Sequence, residues 1–117
     1  MKILFIINDA PYGSEKPYNA LRLVFQFLKD HADIEVTIHL MDNGVFCALA
    51  GQTTPNGFYN IERMLKYAVA KGVPVKLCTT CADARGITPA MIIEGAVLSG
   101  MTELAALVAG SDKVLTF

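Results

Sequence analysis

The chain has 117 residues, a formal net charge of −1 at pH 7, and a composition that is 53% hydrophobic and only 18% charged. This length is typical of one domain, and the lack of net positive charge argues against direct binding to nucleic acids, whose phosphates need basic partners. Apolar residues and glycine together exceed the share of about 45–50% that is usual in soluble domains. Because a small fold has much surface for its volume, we expect part of this surface to be buried against other subunits.

Three further classes are disfavoured by short stretches of the sequence. The N-terminal apolar run, Ile3–Ile7, is too short for a signal peptide and leads into Asn8 and Asp9. The most apolar long stretch, Met91–Ala109, contains two glutamates, which a membrane-spanning helix tolerates poorly. Three cysteines are an odd number, so a disulfide scaffold is not expected. We therefore expect a cytoplasmic protein with reduced thiols and no membrane partner.

The predicted elements alternate between short apolar runs and longer helical periodicities. Lys2–Ile7 is apolar on both faces, as central parallel strands are, and the turn-rich segment Asn8–Ser14 follows it. Ser14 is the predicted N-cap of a helix whose apolar residues recur at helical spacing. This apolar stripe consists of Ala20, Leu21, Leu23, Val24, Phe25, Phe27 and Leu28. A second strand is predicted over Ile34–Met41.

After the second strand, the sequence predicts a strand end at Asp42–Gly44, a short helix over Val45–Ala50 and a loop over Gly51–Gly57. A longer helix is predicted over Phe58–Lys71, with Gly72 as its C′ residue. The remaining predicted elements are strands over Val73–Leu77, Ala96–Leu98 and Lys113–Phe117 and a last helix over Thr102–Ala109. This alternation predicts a single α/β domain over the whole chain, with a parallel sheet, right-handed crossovers and helices on both faces.

Ligands bind outside the carboxyl ends of the strands in an open parallel sheet, and this rule singles out three segments. They are Asn8–Ser14, Met41–Gly44 and Cys78–Gly86. In the first segment, Asn8, Tyr12 and Ser14 would line a pocket beside Cys78, or would serve only as strand-end and cap residues. The segment carries neither a P-loop nor a dinucleotide-binding glycine motif, so the sequence does not predict a phosphate site there.

The strongest local signal is the segment Cys78–Gly86, which reads CTTCADARG. A cysteine at the carboxyl end of a strand faces free backbone N–H groups and a helix dipole, and both favour the thiolate. Arg85 would add positive charge if the turn folds it back. Because the thiolate is the nucleophile, Cys78 is a candidate for covalent sulfur chemistry, with Cys81 as a second candidate. Alternatively, Cys78 is a small buried hydrophobic residue, and Asp83 and Arg85 pair with each other in a solvated turn.

Two other uses of a Cys-x-x-Cys sequence compete with this interpretation. A structural zinc site needs four ligands, but Cys47, His31 and His39 do not supply the missing ones at metal spacing, so no metal or other cofactor is expected. A thioredoxin-like redox pair would open a long amphipathic helix, whereas Gly86 and Pro89 soon interrupt this segment. Cys47 lies in a short apolar stretch and is predicted to pack in the core.

Five stretches of the sequence match a specific pattern, in order and at fitting spacing. They are APYGSE at 10–15, FYNI at 58–61, VPVKLC at 73–78, CxDxRGI at 81–87 and DKVLTF at 112–117. On these stretches the chain resembles the DsrE/DsrF-like family, in its YchN-like branch. The resemblance implies a three-layer α/β/α fold with a five-stranded parallel sheet, and assembly into homotrimers or homohexamers.

The resemblance also implies roles for the two cysteines. Some relatives carry sulfur as a persulfide on a cysteine that matches Cys78 and pass it from a donor to an acceptor protein, in sulfur oxidation or tRNA thiolation. Cys81 and the Asp83/Arg85 pair are features of the YchN-like branch. We therefore expect a sulfur carrier or sulfurtransferase, in which Arg85 and backbone N–H groups stabilise the Cys78 anion and Cys81 resolves the persulfide by forming a disulfide. The alternative is a non-catalytic homo-oligomeric module that regulates or senses redox state or a small molecule.

Overall fold

In the computed structural model, which describes residues 1–117, five strands alternate with four α-helices. The strands are β1 (Lys2–Ile7), β2 (Glu35–Leu40), β3 (Val75–Cys78), β4 (Ala96–Ser99) and β5 (Lys113–Thr116). The α-helices are α1 (Lys16–Asp30), α2 (Ile61–Ala70), α3 (Thr79–Ala84) and α4 (Met101–Gly110), with 3₁₀ segments at Asp42–Ala48, Pro55–Gly57 and Pro89–Met91. All strand pairs are parallel, in the order β4-β3-β2-β1-β5. This arrangement confirms the predicted α/β fold with a five-stranded parallel sheet.

The main hydrophobic core lies between one face of the sheet and helices α1 and α2. Phe5 of β1 is fully buried there, with its ring stacked on Phe117 and edge-on to Phe27. The two helices contribute their buried apolar residues, which are Pro17, Ala20, Leu21 and Val24 in α1 and Ile61, Leu65 and Ala68 in α2. Because alternate strand residues face this core, their burial holds the strands in register. Since all strands are parallel, their carboxyl ends lie at the same edge of the sheet.

Helix α4 packs on the opposite face of the sheet, where His39 of β2 is buried. His39 is 1% exposed, and neither of its ring nitrogens has a hydrogen-bond partner in the chain. Beside it, Lys76 forms a 3.1 Å salt bridge with Glu103 of α4, which also accepts a hydrogen bond from the Ser99 hydroxyl at 2.8 Å. His39 is thus a polar ring enclosed by the fold without a compensating bond.

The surface of the chain retains a large share of its apolar residues. Of the ten residues of α4, only Leu104 is buried, although the helix is rich in alanine, leucine and valine. Phe58 is 73% exposed and Met101 is 64% exposed. The apolar excess in the composition therefore lies partly on the surface of the isolated chain. None of the helices is long and apolar enough to cross a membrane.

The five strands and α4 agree with their predicted limits to within two residues. The start of α1 is different, because its N-cap is Glu15 rather than Ser14. The Ser14 hydroxyl donates to Asp9 and accepts the Lys16 N–H at 3.3 Å. Ser14 therefore satisfies a free N–H group of the first turn from one position further out than predicted.

The start of α2 was predicted three residues too early. Phe58 and Tyr59 continue the apolar pattern of the helix, but Tyr59 has a left-handed backbone with φ of 58°. The side chain of Asn60 accepts the Arg63 N–H at 3.0 Å and caps the helix, which begins at Ile61. The predicted short helix over 45–50 is likewise a 3₁₀ segment that begins earlier, directly after β2.

Candidate functional site

Cys78 lies where β3 ends and α3 begins. It is the N-cap residue of this six-residue helix, and its sulfur accepts the Cys81 backbone N–H at 3.3 Å. The sulfur also lies 3.2 Å from the hydroxyl of Thr80. Cys78 is 6% exposed, so the sulfur is held close to hydrogen-bond donors in a largely enclosed position.

The groups around Cys78 favour its thiolate. Burial raises the pKa of this thiol, but hydrogen bonds from the Cys81 thiol, the Thr80 hydroxyl and the backbone N–H groups of both residues outweigh burial, so the pKa lies below its ordinary value. Burial also raises the pKa of Cys81, and the hydrogen bond to Cys78 raises it further. Within the pair, Cys78 is therefore the more acidic thiol, and the Cys81 thiol donates to it.

A turn from the neighbouring strand β2 closes over Cys81. Asp42 has a left-handed backbone with φ of 52°, and its N–H donates to the Cys81 sulfur at 3.2 Å. Arg85 holds this turn against α3, because its guanidinium donates to Asp42 Oδ1 at 2.8 Å, to Asn43 Oδ1 at 3.0 Å and to the Cys81 carbonyl at 3.0 Å. Arg85 thus folds back toward the cysteine pair, but its charge acts on Cys81, whose pKa it lowers against the larger effect of burial, and not on the Cys78 anion that it was expected to stabilise.

The alternative in which Asp83 and Arg85 pair with each other does not hold in the structure. Arg85 forms its salt bridge with Asp42 instead, and Asp83 is exposed without a salt bridge. Residues two positions apart point to different sides of a helix, so their side chains do not meet. The carboxylate that faces Arg85 therefore comes from the turn after β2, which is distant in sequence.

The three residues predicted beside Cys78 form their hydrogen bonds elsewhere. The Tyr12 hydroxyl accepts the Ile61 N–H at 3.2 Å and so tethers the loop after β1 to the start of α2. Asn8 acts through its backbone, since its carbonyl accepts the Gly44 N–H at 3.0 Å. Ser14 supports the start of α1. These are bonds of strand-end, cap and loop-tethering residues, and none of them reaches the cysteine pair.

Two contributors to the site were not predicted, Thr80 and Asp42. Thr80 lies inside the Cys-x-x-Cys sequence, so its proximity to Cys78 follows from the helical turn. Asp42 lies in the segment that follows β2, which the carboxyl-end rule singles out without selecting a residue. The sequence signal that distinguishes this turn is Gly44, where a Cβ would lie 2.0 Å from the carbonyl oxygen of Ile7. Only glycine fits so close to the neighbouring strand.

An open, mostly apolar groove of about 490 Å³ adjoins the site at Arg85. Its other lining residues are Phe46, Leu49, Ala50, Gly86, Ile87, Ala90 and Met91. Neither cysteine lines the groove, so it is a neighbouring surface and not the site itself.

Cys47, the third cysteine, lies in the core and not at the Cys78/Cys81 pair. Cys47 is fully buried in the core, where burial and the charge of Asp9 raise its pKa to about 12. This placement confirms that Cys47 is a packing residue. All three cysteines are free thiols, and no group of three His, Cys, Asp or Glu side chains is arranged to hold a metal ion.

The whole chain, residues 1–117, matches the model of the DsrE/DsrF-like family. The chain belongs to this family. It is 42% identical over 116 residues to protein YchN of Escherichia coli strain K12, covering 99% of this chain and 98% of that protein. It is also 44% identical over 117 residues to protein MJ0989 of Methanocaldococcus jannaschii, covering the full length of both. These relatives confirm the resemblance to YchN, and the DsrE/DsrF-like family is linked to sulfur relay in general.

Solved structures agree with the fold described above. The crystal structure of YchN from Escherichia coli matches with a TM-score of 0.93 at 41% identity, covering 100% of this chain and 99% of that one. MTH1491 from Methanobacterium thermoautotrophicum matches with a TM-score of 0.80 at 14% identity, covering 99% of this chain and 98% of that one. The second likeness shows the fold alone.

For this DsrE/DsrF-like chain, we expect Thr80→Val to raise the pKa of Cys78, because valine keeps the side-chain shape but removes a donor to the thiolate. The rate of Cys78 alkylation by iodoacetamide, followed against pH, would reach its half-maximum at higher pH. Thr79→Val is the matched control, since the Thr79 hydroxyl donates to the Ser99 carbonyl at 3.0 Å. An unchanged profile in Thr80→Val, or an equal shift in both variants, would disprove the role of Thr80.

Proposed function

We propose that this protein is a sulfur carrier or sulfurtransferase of the cytoplasm, which holds a persulfide on Cys78 and passes the sulfur to a partner protein. The observation that carries the proposal is the set of donors from Thr80 and Cys81 around the Cys78 sulfur. These donors favour the thiolate, which is the form that attacks a sulfur donor. The link of the family to sulfur relay supports the same conclusion.

Loading and unloading of Cys78 are both thiol exchange reactions. The Cys78 thiolate attacks the outer sulfur of a donor persulfide, a new S–S bond forms on Cys78, and the donor leaves as its thiolate. In the second step, an acceptor thiolate attacks the outer sulfur, and Cys78 leaves as a thiolate. A leaving thiol departs faster when its pKa is low, so the donors around Cys78 assist both directions without any external oxidant or reductant.

The burial of Cys78 fits a carrier of this kind. With 6% exposure, the thiolate is shielded from large reagents and from unwanted oxidation. An added outer sulfur stands one S–S bond, about 2 Å, beyond the cysteine sulfur. The loaded sulfur is therefore more accessible to an acceptor thiol than the cysteine sulfur that carries it.

We also propose that the chain works as a homotrimer or homohexamer. The support is the exposed apolar surface, to which Phe58, Met101 and Val108 contribute. Exposed apolar patches mark association surfaces because their burial removes them from water. The sulfur donor and the acceptor would be further proteins, and the near-zero net charge favours protein partners over direct contact with RNA.

The proposal is tested by mass spectrometry of the intact protein after incubation with a low-molecular-weight persulfide. Wild type is expected to gain the mass of one sulfur atom, and Cys78→Ser is expected to gain none. Cys47→Ser is the control, because Cys47 is a buried packing residue whose removal leaves the carrier thiol in place. An adduct that survives in Cys78→Ser would overturn the proposal. Absence of an adduct in both wild type and Cys81→Ser, in which Cys81 cannot resolve the persulfide, would overturn it in favour of a non-catalytic module.

A further inference from the structure

We infer that Asp42 and Arg85 are positioning residues for Cys81, which hold it ready to discharge the sulfur on Cys78 as hydrosulfide when no acceptor is present. This inference rests on the proposed persulfide on Cys78. It assigns the protein a second outcome besides transfer, namely the release of its cargo into solution. The evidence is the geometry of the turn after β2 and the three hydrogen bonds of Arg85, two to this turn and one to the Cys81 carbonyl.

The turn after β2 presents its backbone to Cys81 at a sterically disfavoured residue. Asp42 has φ of 52°, a region that side chains with a Cβ rarely adopt. The conformation is held from the other side by Gly44, whose N–H lies within hydrogen-bond distance of the Met41 carbonyl at 2.7 Å and the Asn8 carbonyl at 3.0 Å. In this conformation the Asp42 N–H donates to the Cys81 sulfur at 3.2 Å. Residues in such conformations persist where the surrounding structure determines them, often at functional sites.

Arg85 links the turn to α3. Its guanidinium binds Asp42 and Asn43 on the turn and the carbonyl of Cys81 on the helix. The Asp42 carboxylate is 65% exposed, and exposed ion pairs add little to stability. The contribution of this salt bridge is therefore geometric, because it keeps the Asp42 N–H directed at Cys81.

The arrangement suits a thiol that becomes a thiolate only during reaction. Cys81 is neutral in the resting pair, because burial and the bond to Cys78 raise its pKa. The Asp42 N–H and the Arg85 charge oppose this rise. Once Cys78 carries a persulfide, the bond to a Cys78 thiolate is lost, and these two groups remain to stabilise negative charge on Cys81.

The discharge step balances without an added oxidant. The Cys81 proton passes to the anionic outer sulfur of the persulfide, and the Cys81 thiolate attacks the sulfur of Cys78. The Cys78–Cys81 disulfide bond forms, the persulfide S–S bond breaks, and its electron pair leaves with the protonated outer sulfur as HS⁻. A thiol reductant in solution then reduces the disulfide and restores both cysteines.

The test compares loading with discharge in the full chain. Each variant is loaded with a low-molecular-weight persulfide, freed of excess donor by desalting, and followed for HS⁻ release, with intact mass reporting the persulfide and the disulfide. Asp42→Ala and Arg85→Met are expected to load like wild type but to release HS⁻ about tenfold more slowly. This is the effect of losing a hydrogen bond to a charged group. Cys81→Ser is expected to load and to release none by this route.

Asp42→Asn is the matched control, because asparagine tolerates a left-handed backbone and retains an oxygen for Arg85. Asp42→Asn is expected to release HS⁻ at the wild-type rate. If any substitution in this turn slowed the release merely by disturbing the structure, Asp42→Asn would be slow as well. If all variants load and discharge at the wild-type rate, the inference is wrong while the carrier function stands. If no chain loads, the proposed function itself fails.

Discussion

Gly44→Ala is expected to lower the free energy of unfolding by about 3 kcal/mol or more. A Cβ at this position would lie 2.0 Å from the carbonyl oxygen of Ile7 and 2.8 Å from its carbon. Both are backbone atoms, so the clash is relieved only by moving the turn away from β1. Overpacking a well-packed site usually costs about 1–3 kcal/mol, and the displacement would also strain the contacts of the Gly44 N–H with Asn8 and Met41.

Urea unfolding followed by circular dichroism measures this loss as a lower midpoint at an unchanged slope. Gly110→Ala is the control, because a Cβ there meets no atom within 4 Å and the residue ends helix α4. Alanine is neutral or favourable by up to about 1 kcal/mol at such a helical position. A Gly44→Ala midpoint equal to that of wild type would contradict the close packing of the turn against β1.

His39→Leu is expected to raise the free energy of unfolding by about 1–3 kcal/mol at pH 7, which is the usual cost of a buried polar group without a partner. The ring is 1% exposed, and both of its nitrogens lack a hydrogen-bond partner in the chain. Leucine is similar in size and carries no polar atom, so the substitution removes the cost without leaving a large cavity. Urea unfolding of both proteins at pH 7 measures the gain, and a midpoint below that of wild type would contradict it.

His39→Leu is also expected to reduce the loss of stability that the protein undergoes at mildly acid pH. Burial lowers the pKa of His39, the Glu103 charge opposes this effect and the Lys76 charge adds to it. Below the unfolded-state value of about 6.5, the unfolded chain therefore binds a proton that the folded chain does not. The protonation of His39 therefore does not reduce the free energy of unfolding above this pH. It reduces this free energy progressively as the pH decreases toward the folded-state pKa.

Unfolding midpoints across this range distinguish His39 from the other histidine. His39→Leu removes the part of the acid loss that comes from His39, whereas the control His31→Leu, at an exposed position after α1, retains it. Identical pH profiles for wild type and His39→Leu would show that His39 binds its proton equally well in both states.

The strands and α4 could be predicted because their causes are local. The apolar run of β1 and the glycines and prolines between elements determine where each element lies, and the limits hold to within two residues. The start of α2 depends instead on a tertiary contact. Tyr59 stacks on Tyr18 at 4.0 Å with a left-handed backbone, and no periodicity in Phe58 or Tyr59 signals this arrangement.

The cysteine pair could be located in the sequence, but its surroundings could not. Cys78 follows an apolar strand directly, which is a local pattern. The donor to Cys81 comes from Asp42, 39 positions away, and the ion pair between Asp42 and Arg85 spans 43 positions. These contacts exist because β2 and β3 are neighbours in the sheet. The nearest opposite charge in sequence, Asp83, is not the nearest in space.

The order in which the three thiols react with an alkylating reagent tests the central claim most directly, namely that Cys78 is the most acidic and most reactive thiol of this chain. Native protein is treated with limiting iodoacetamide from mildly acid to alkaline pH, and peptide mapping locates each adduct. The pKa of Cys78 lies below its ordinary value, that of Cys81 lies above it, and that of Cys47 is about 12. Cys78 is therefore expected to react first and at the lowest pH, Cys81 only in alkali, and Cys47 only after unfolding. Alkylation of Cys81 or Cys47 ahead of Cys78 would contradict the account.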